Sequence, residues 1–169
     1  YGVGRDAGAV ALHFEVEVGF HQYRLLGVLI VEGEVHIVAQ HRDAVLQVAG
    51  GITTLRDMGG DNVELNRLQT RVDLGESIGP HIVLTGFIEG DSPFRASGGF
   101  TIKNVDDGKQ AIDWYAQHGY QQIKLYNSIR PEWVKPIADY AHSRGIRVSG
   151  HIPAFMRAEE AVRSGFDEI

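Results

Sequence analysis

The chain has 169 residues, 43% hydrophobic and 22% charged, with a formal net charge of −6. This is the composition of a soluble globular domain long enough to bury a core, and its mild acidity excludes the basic face of a nucleic-acid binder. No apolar run is long enough for a membrane span, no targeting pattern opens the chain, and the lack of cysteine removes disulfides and thiolate metal sites.

Residues 1–12 are small and glycine-rich, which suggests a loosely held arm or edge segment. From His13 to Phe20 apolar and polar residues alternate, the period of a half-buried strand. Tyr23–Val31 reads as a second strand, Glu32-Gly33-Glu34 as a turn and Val35–Ala39 as a third strand. Residues 1–41 are therefore expected to form a small antiparallel β unit.

The rhythm then changes. A short helix from Asp43 to Ala49 ends at Gly50-Gly51, and Ile52–Arg56 follows as a strand. Asp61 or Asn62 caps a helix to about Ser77, with Leu65, Leu68 and Val72 as its apolar stripe. His81–Phe87 is the next strand, and residues 88–104 read as a long polar loop of the kind that often serves a site. A helix from Asp106 or Asp107 to Gly119 leads into strand Gln122–Tyr126. Pro131 opens the next helix, with Val134, Ile137, Ala138 and Ala141 facing inward. Strand Ile146–Ile152, a helix over about Arg157–Arg163 and the start of a strand at Phe166–Ile169 complete the series. Strands alternating with helices over residues 42–169 predict right-handed βαβ units and a parallel sheet, in a barrel or an open form. No Gly-x-Gly-x-x-Gly follows a strand, which argues against a dinucleotide site.

Two residues in this region do not suit an ordinary core. Lys124 lies between Ile123 and Leu125, and His151 lies between Gly150 and Ile152. On neighbouring parallel strands they would point into one space, near the carboxyl ends where ligands bind. The alternative for Lys124 is an ion pair with a carboxylate such as Asp57, or an open sheet edge. Arg56 and Asp57 are read as a structural ion pair, Trp114 and Trp133 as packing residues. His118 and His142 are placed near helix C-termini.

Ordered motifs in this region resemble the amidohydrolase superfamily, in its prolidase-like and imidazolonepropionase-like branch. GITTLRDMGGDN (51–62) is similar to the family's strand 2, QQIKLY (121–126) to strand 4, IRVSGHIP (146–153) to strand 5 and SGFDEI (164–169) to the approach to strand 6. The resemblance implies a partial (β/α) barrel of parallel strands 2 to 5 and the start of 6, behind the small antiparallel unit. It implies a metal-dependent hydrolase of amide or ester bonds, with zinc as the expected metal and a small or peptide-like substrate. On that pattern Lys124 stands at the carboxylated, metal-bridging lysine, His151 at the strand 5 ligand and His36 at the first strand 1 ligand. Lys124 and His151 are then the catalytic candidates, with Arg95 and Tyr126 as candidates for substrate contact. Arg95 suits a carboxylate because its guanidinium forks.

The resemblance also has gaps. Val38 stands where the second histidine of the family's His-x-His belongs, and the strand 6 histidine and strand 8 aspartate have no counterpart in the sequence. The alternative expectation is a truncated, metal-poor half-barrel that acts as an oligomerising structural or binding unit, with open sheet edges covered in a homo-oligomer.

Overall fold

The computed structural model describes residues 10–18, 21–29 and 43–169. The chain divides into two units, Tyr1–Asp43 and Ala44–Ile169. In the first, β1 (Val10–Val18) pairs antiparallel with β2 (His21–Leu29), from Val10 opposite Leu29 to Val18 opposite His21. Val10–Leu12 thus belong to a strand and not to the expected arm. They continue the alternating run that starts at His13. The third expected strand, Val35–Ala39, lies outside the described residues, and so does His36.

The second unit follows the βα alternation. α1 (residues 43–49) leads to β3 (Thr54–Arg56), α2 (Asn62–Asp73), β4 (His81–Val83) and β5 (Thr85–Gly90). Then come β6 (Phe100–Ile102), α3 (Val105–Gln117), β7 (Gln122–Leu125), α4 (Pro131–Ser143), β8 (Arg147–Gly150) and α5 (Ala158–Arg163). Every strand pair in this unit is parallel, with β3 beside β4 and a sheet of order β6-β5-β7-β8. Leu84 separates β4 from β5, so the stretch expected as one strand turns from one ladder into the other. Among the described residues the strands do not close into a ring.

Two expectations are corrected. Residues 88–104 are not all loop. Ile88–Gly90 complete β5, and Phe100–Ile102 form β6 beside them. The Gly98-Gly99 pair hides this strand from a reading of composition. Phe166–Ile169 is not a strand, although the Asp167 N–H donates to the Val148 carbonyl at 2.8 Å. That bond and the acceptance of the Val148 N–H by the Asp167 carboxylate at 2.7 Å satisfy backbone groups of β8 without a further strand.

The helices begin where capping chemistry puts them. The Asp61 carboxylate accepts from the N–H groups of Val63 and Glu64 at the start of α2, and Asn104 accepts from Asp107 at the start of α3. Proline at the first turn opens α4. Alternation along the strands gives the sheet two different faces. Ile88, Ile123, Leu125 and Val148 belong to the buried core with Ile112 and Tyr115 of α3 and Val134, Ile137 and Ala141 of α4. Gly86 lies on this face because a Cβ there would come within 2.5 Å of the Tyr115 ring. Trp114 and Trp133 pack against the core from its margin, as their sequence context suggests. The opposite face carries Thr85, Phe87, Gln122, Lys124 and Ser149, brought together by the pairings Thr85–Gln122, Phe87–Lys124 and Lys124–Ser149.

Candidate active site

The polar sheet face is wired from its lower end upward. Gln122 is buried and donates from Nε2 to the Thr85 hydroxyl at 2.6 Å. The Ser149 hydroxyl, also buried, donates to the Ile123 carbonyl at 3.0 Å. These bonds satisfy groups that would be costly to leave unpaired. Lys124 stands one step higher and is half-buried.

Among the described residues no carboxylate pairs with Lys124. Its Nζ lies 5.0 Å from the ring centroid of Tyr126 and 5.6 Å from that of Phe87. Both distances are within cation–π range. The Asp57 pairing considered from sequence does not occur. Oδ2 of Asp57 instead accepts from the N–H groups of Gly59 at 3.0 Å and Gly60 at 2.9 Å, which folds the loop after β3. Nor does Asp57 pair with Arg56. The Arg56 guanidinium reaches across to Glu168, with Nη1 donating to Oε2 at 2.7 Å and Nη2 to Oε1. This two-pronged bond holds the Glu168 carboxyl below its usual range and raises the Arg56 value.

His151 does not stand opposite Lys124. The register puts Ser149 there, and His151 lies beyond the end of β8, with its N–H donating to the Leu125 carbonyl at 3.1 Å. Ser149 and His151 are two residues apart, so His151 still returns to the face of Lys124. Tyr126 joins the two, its ring 4.5 Å from the His151 ring in an edge-on contact and 5.2 Å from Phe87. A cavity of about 270 Å³ lies here, lined by Met58, Lys124, Ser149, Gly150, His151, Glu168 and Ile169. A larger one of about 370 Å³, between β6 and α3, is lined by Phe100, Trp114 and neighbours and contains neither sequence candidate.

Arg95 does not line the 270 Å³ cavity. It sits on the exposed β5–β6 loop with Nη1 3.5 Å from Asp91 Oδ1. His118 stacks on Trp114 at 3.7 Å, with Nδ1 2.7 Å from the Trp114 carbonyl oxygen. His142 lies 2.9 Å from Asp167. Burial pushes the Asp167 carboxyl up, but the Val148 N–H and His142 outweigh it and leave the value below normal.

One residue of the site region was missed by sequence reasoning. Glu89 is fully buried near the carboxyl end of β5 and accepts from backbone N–H groups of three segments. Its signal was an acid directly after the apolar pair Phe87-Ile88 and before a glycine.

A divalent metal of the kind the sequence resemblance implies needs four or more donors. Lys124, once carboxylated, and His151 offer oxygen and nitrogen donors on one cavity, so they fit as part of such a set. The described residues do not complete it, since no three His, Cys, Asp or Glu side chains among them come together.

No family model and no curated protein matches the chain. Solved structures do. The bottromycin amidohydrolase matches over 73% of this chain and 28% of its own, at 21% identity and a TM-score of 0.65. A Xaa-Pro dipeptidase with methionine bound in its active site matches over 82% and 41%, at 19% identity and 0.64. Ochratoxinase of A. niger matches over 77% and 39%, at 16% identity and 0.62. The chain thus spans well under half the length of these proteins. At such identities the likeness is one of fold, and it agrees with the motifs and strand order above. In fold, therefore, this chain is an open parallel α/β arrangement similar to part of the (β/α) barrels of these amidohydrolase and dipeptidase structures.

Proposed function

We propose that the carboxyl ends of β7 and β8 form the site of a metal-assisted hydrolase that cleaves amide bonds of small, peptide-like molecules. The observation that carries this reading is the shared cavity of Lys124 and His151 at the end of an amidohydrolase-type sheet. Lys124, as its carbamate, and His151 would hold the divalent cation, and zinc suits a mixed oxygen and nitrogen set. His36, the further ligand that the sequence resemblance implies, lies outside the described residues. When bound, such a cation acidifies a water and polarises a carbonyl.

The remaining roles belong to this chain's own groups. The Lys124 amine adds to carbon dioxide, forming the N–C bond and releasing a proton, and no ion pair with a described carboxylate has to be broken first. The Tyr126 ring fixes the side-chain direction of both Lys124 and His151. The bond to Arg56 keeps the Glu168 wall of the cavity ionised and tied down. Arg95 is proposed to grip the carboxylate of a peptide-like substrate, and it must leave Asp91 to do so.

The test is amine release from Xaa-Pro dipeptides and N-acyl amino acids by the chain, prepared with zinc in bicarbonate buffer. The expected result is release that a chelator stops and that Lys124→Ala and His151→Ala each abolish. Release that is absent, or indifferent to the chelator and to both substitutions, contradicts the reading.

A further inference from the structure

Glu89 has zero exposure, yet no cationic side chain among the described residues pairs with it. Its carboxylate is spent on backbone. Oε1 accepts from the Gly90 N–H at 2.9 Å and the Ser128 N–H at 2.8 Å, and Oε2 accepts from the Ala96 N–H at 3.2 Å. Those donors lie on the end of β5, the β7–α4 loop and the β5–β6 loop. A carboxylate suits this place because it only accepts. A glutamine would turn an NH₂ group toward one of the N–H donors.

The loops tied here carry or lie against the two aromatic rings beside Lys124. The β7–α4 loop begins with Tyr126, whose N–H donates to the Ile88 carbonyl at 3.1 Å. Ser128 then lies so close to β5 that a Cβ on Gly90 would sit 1.9 Å from its carbonyl oxygen. Between them, the Asn127 carbonyl accepts from the Ala154 N–H at 2.9 Å, which extends the tie to the loop after His151. On the other side, the β5–β6 loop returns over Phe87, where a Cβ on Gly99 would be 2.8 Å from the Phe87 Cβ. Phe87 and Tyr126 are the two rings that face the Lys124 ammonium.

We propose that Glu89 is a positioning residue of the candidate site: it locks both loops to β5 and so holds Tyr126 against Lys124 and His151. This rests on the reading of that cavity as the active site, but its structural content can be measured without any activity. A buried carboxylate that served stability alone would not have to control the surroundings of Lys124.

The experiment is nuclear magnetic resonance on the wild-type chain and on Glu89→Gln. In the wild type the Ser128 and Ala96 amides should be protected from exchange, and the Lys124 methylene protons should be shifted upfield by the two rings. In Glu89→Gln protection of those amides should fall more than about tenfold. The Lys124 signals should also move toward free-lysine positions, while core methyl signals such as those of Ile112 and Val148 stay in place. Free exchange of the Ser128 and Ala96 amides in the wild type overturns the proposal, and that result is available even if the variant does not fold. A folded variant with unmoved Lys124 signals overturns it as well. If the Lys124 signals move but the wild type hydrolyses no amide, the positioning role stands and the hydrolase reading falls.

Discussion

The ammonium of Lys124 lies 5.0 Å from the centre of the Tyr126 ring, and the other side of that residue's surroundings is the His151 ring at 4.5 Å. Tyr126 is thus the shared neighbour of the two residues on which the functional reading turns. Its packing is worth about 0.5–1.5 kcal/mol for the aromatic contacts and about 0.5–1 kcal/mol for the cation contact. Tyr126→Leu should therefore destabilise the fold by roughly 1–2 kcal/mol. Tyr126→Phe keeps the ring and should cost less than about 0.5 kcal/mol, because the hydroxyl has no partner among the described residues. Urea unfolding of the two variants distinguishes these outcomes, and equal losses would contradict the assigned contacts.

Acid should weaken the closure at Glu168 and Asp167. Both carboxyls are held below their usual values in the folded chain, Glu168 by Arg56 and Asp167 by the Val148 N–H and His142 against the effect of burial. A group whose folded value is depressed gives its stability above the unfolded value, about 4 for these residues, and loses it as pH falls through the folded value. The thermal midpoint of the wild type should thus exceed that of Glu168→Gln near neutral pH. The gap should narrow steadily below about pH 4. A gap that is constant or grows with acid would reverse the assignment.

The contact between β5 and α3 should be intolerant of small changes. Tyr115 is fully buried and its hydroxyl donates to the Phe87 carbonyl at 2.7 Å. Burial raises its ionisation well above the ordinary tyrosine value, so it remains a donor throughout the accessible range. Tyr115→Phe leaves that carbonyl short of a partner and should cost about 1–3 kcal/mol. Gly86→Ala drives a methyl against the same ring and should cost a similar amount, about 1–3 kcal/mol. Denaturant midpoints test both. A neutral Gly86→Ala would mean that the strand and helix are further apart than described.

The cap of α2 offers a milder test. Asp61 Oδ1 accepts from Val63 at 2.9 Å and Glu64 at 3.0 Å. Asp61→Ala should cost about 1 kcal/mol, and Asp61→Ser should recover most of it. A null effect in thermal unfolding would detach the helix start from this residue.

Most of the second unit was legible because its signals are local. Helix stripes such as Val134, Ile137 and Ala141, the cap at Asp61 and the proline at 131 each name their element without distant contacts. The odd residues Lys124 and His151 were visible for the same reason, being polar groups in short apolar strands. What could not be read was set by partners far along the chain. Arg56 finds Glu168 rather than its neighbour Asp57, because the fold returns the end of the chain to the end of β3. β6 exists because β5 offers it an edge, not because Phe100–Ile102 has a distinctive pattern. Glu89 looked like the start of a polar loop, whereas three backbone donors from separate segments make burial of its charge tolerable. The register offset between Lys124 and His151 likewise depends on strand pairing, which the motifs alone do not fix.

The central claim is that Lys124 and His151 act together in holding a divalent cation. Calorimetric titration of the wild-type chain with zinc in bicarbonate buffer tests it most directly, with Lys124→Ala and His151→Ala titrated alongside. The account predicts a saturable site of one zinc per chain that either substitution removes, with dependence on bicarbonate in the wild type. The contradicting result is no stoichiometric binding, or binding that survives both substitutions unchanged.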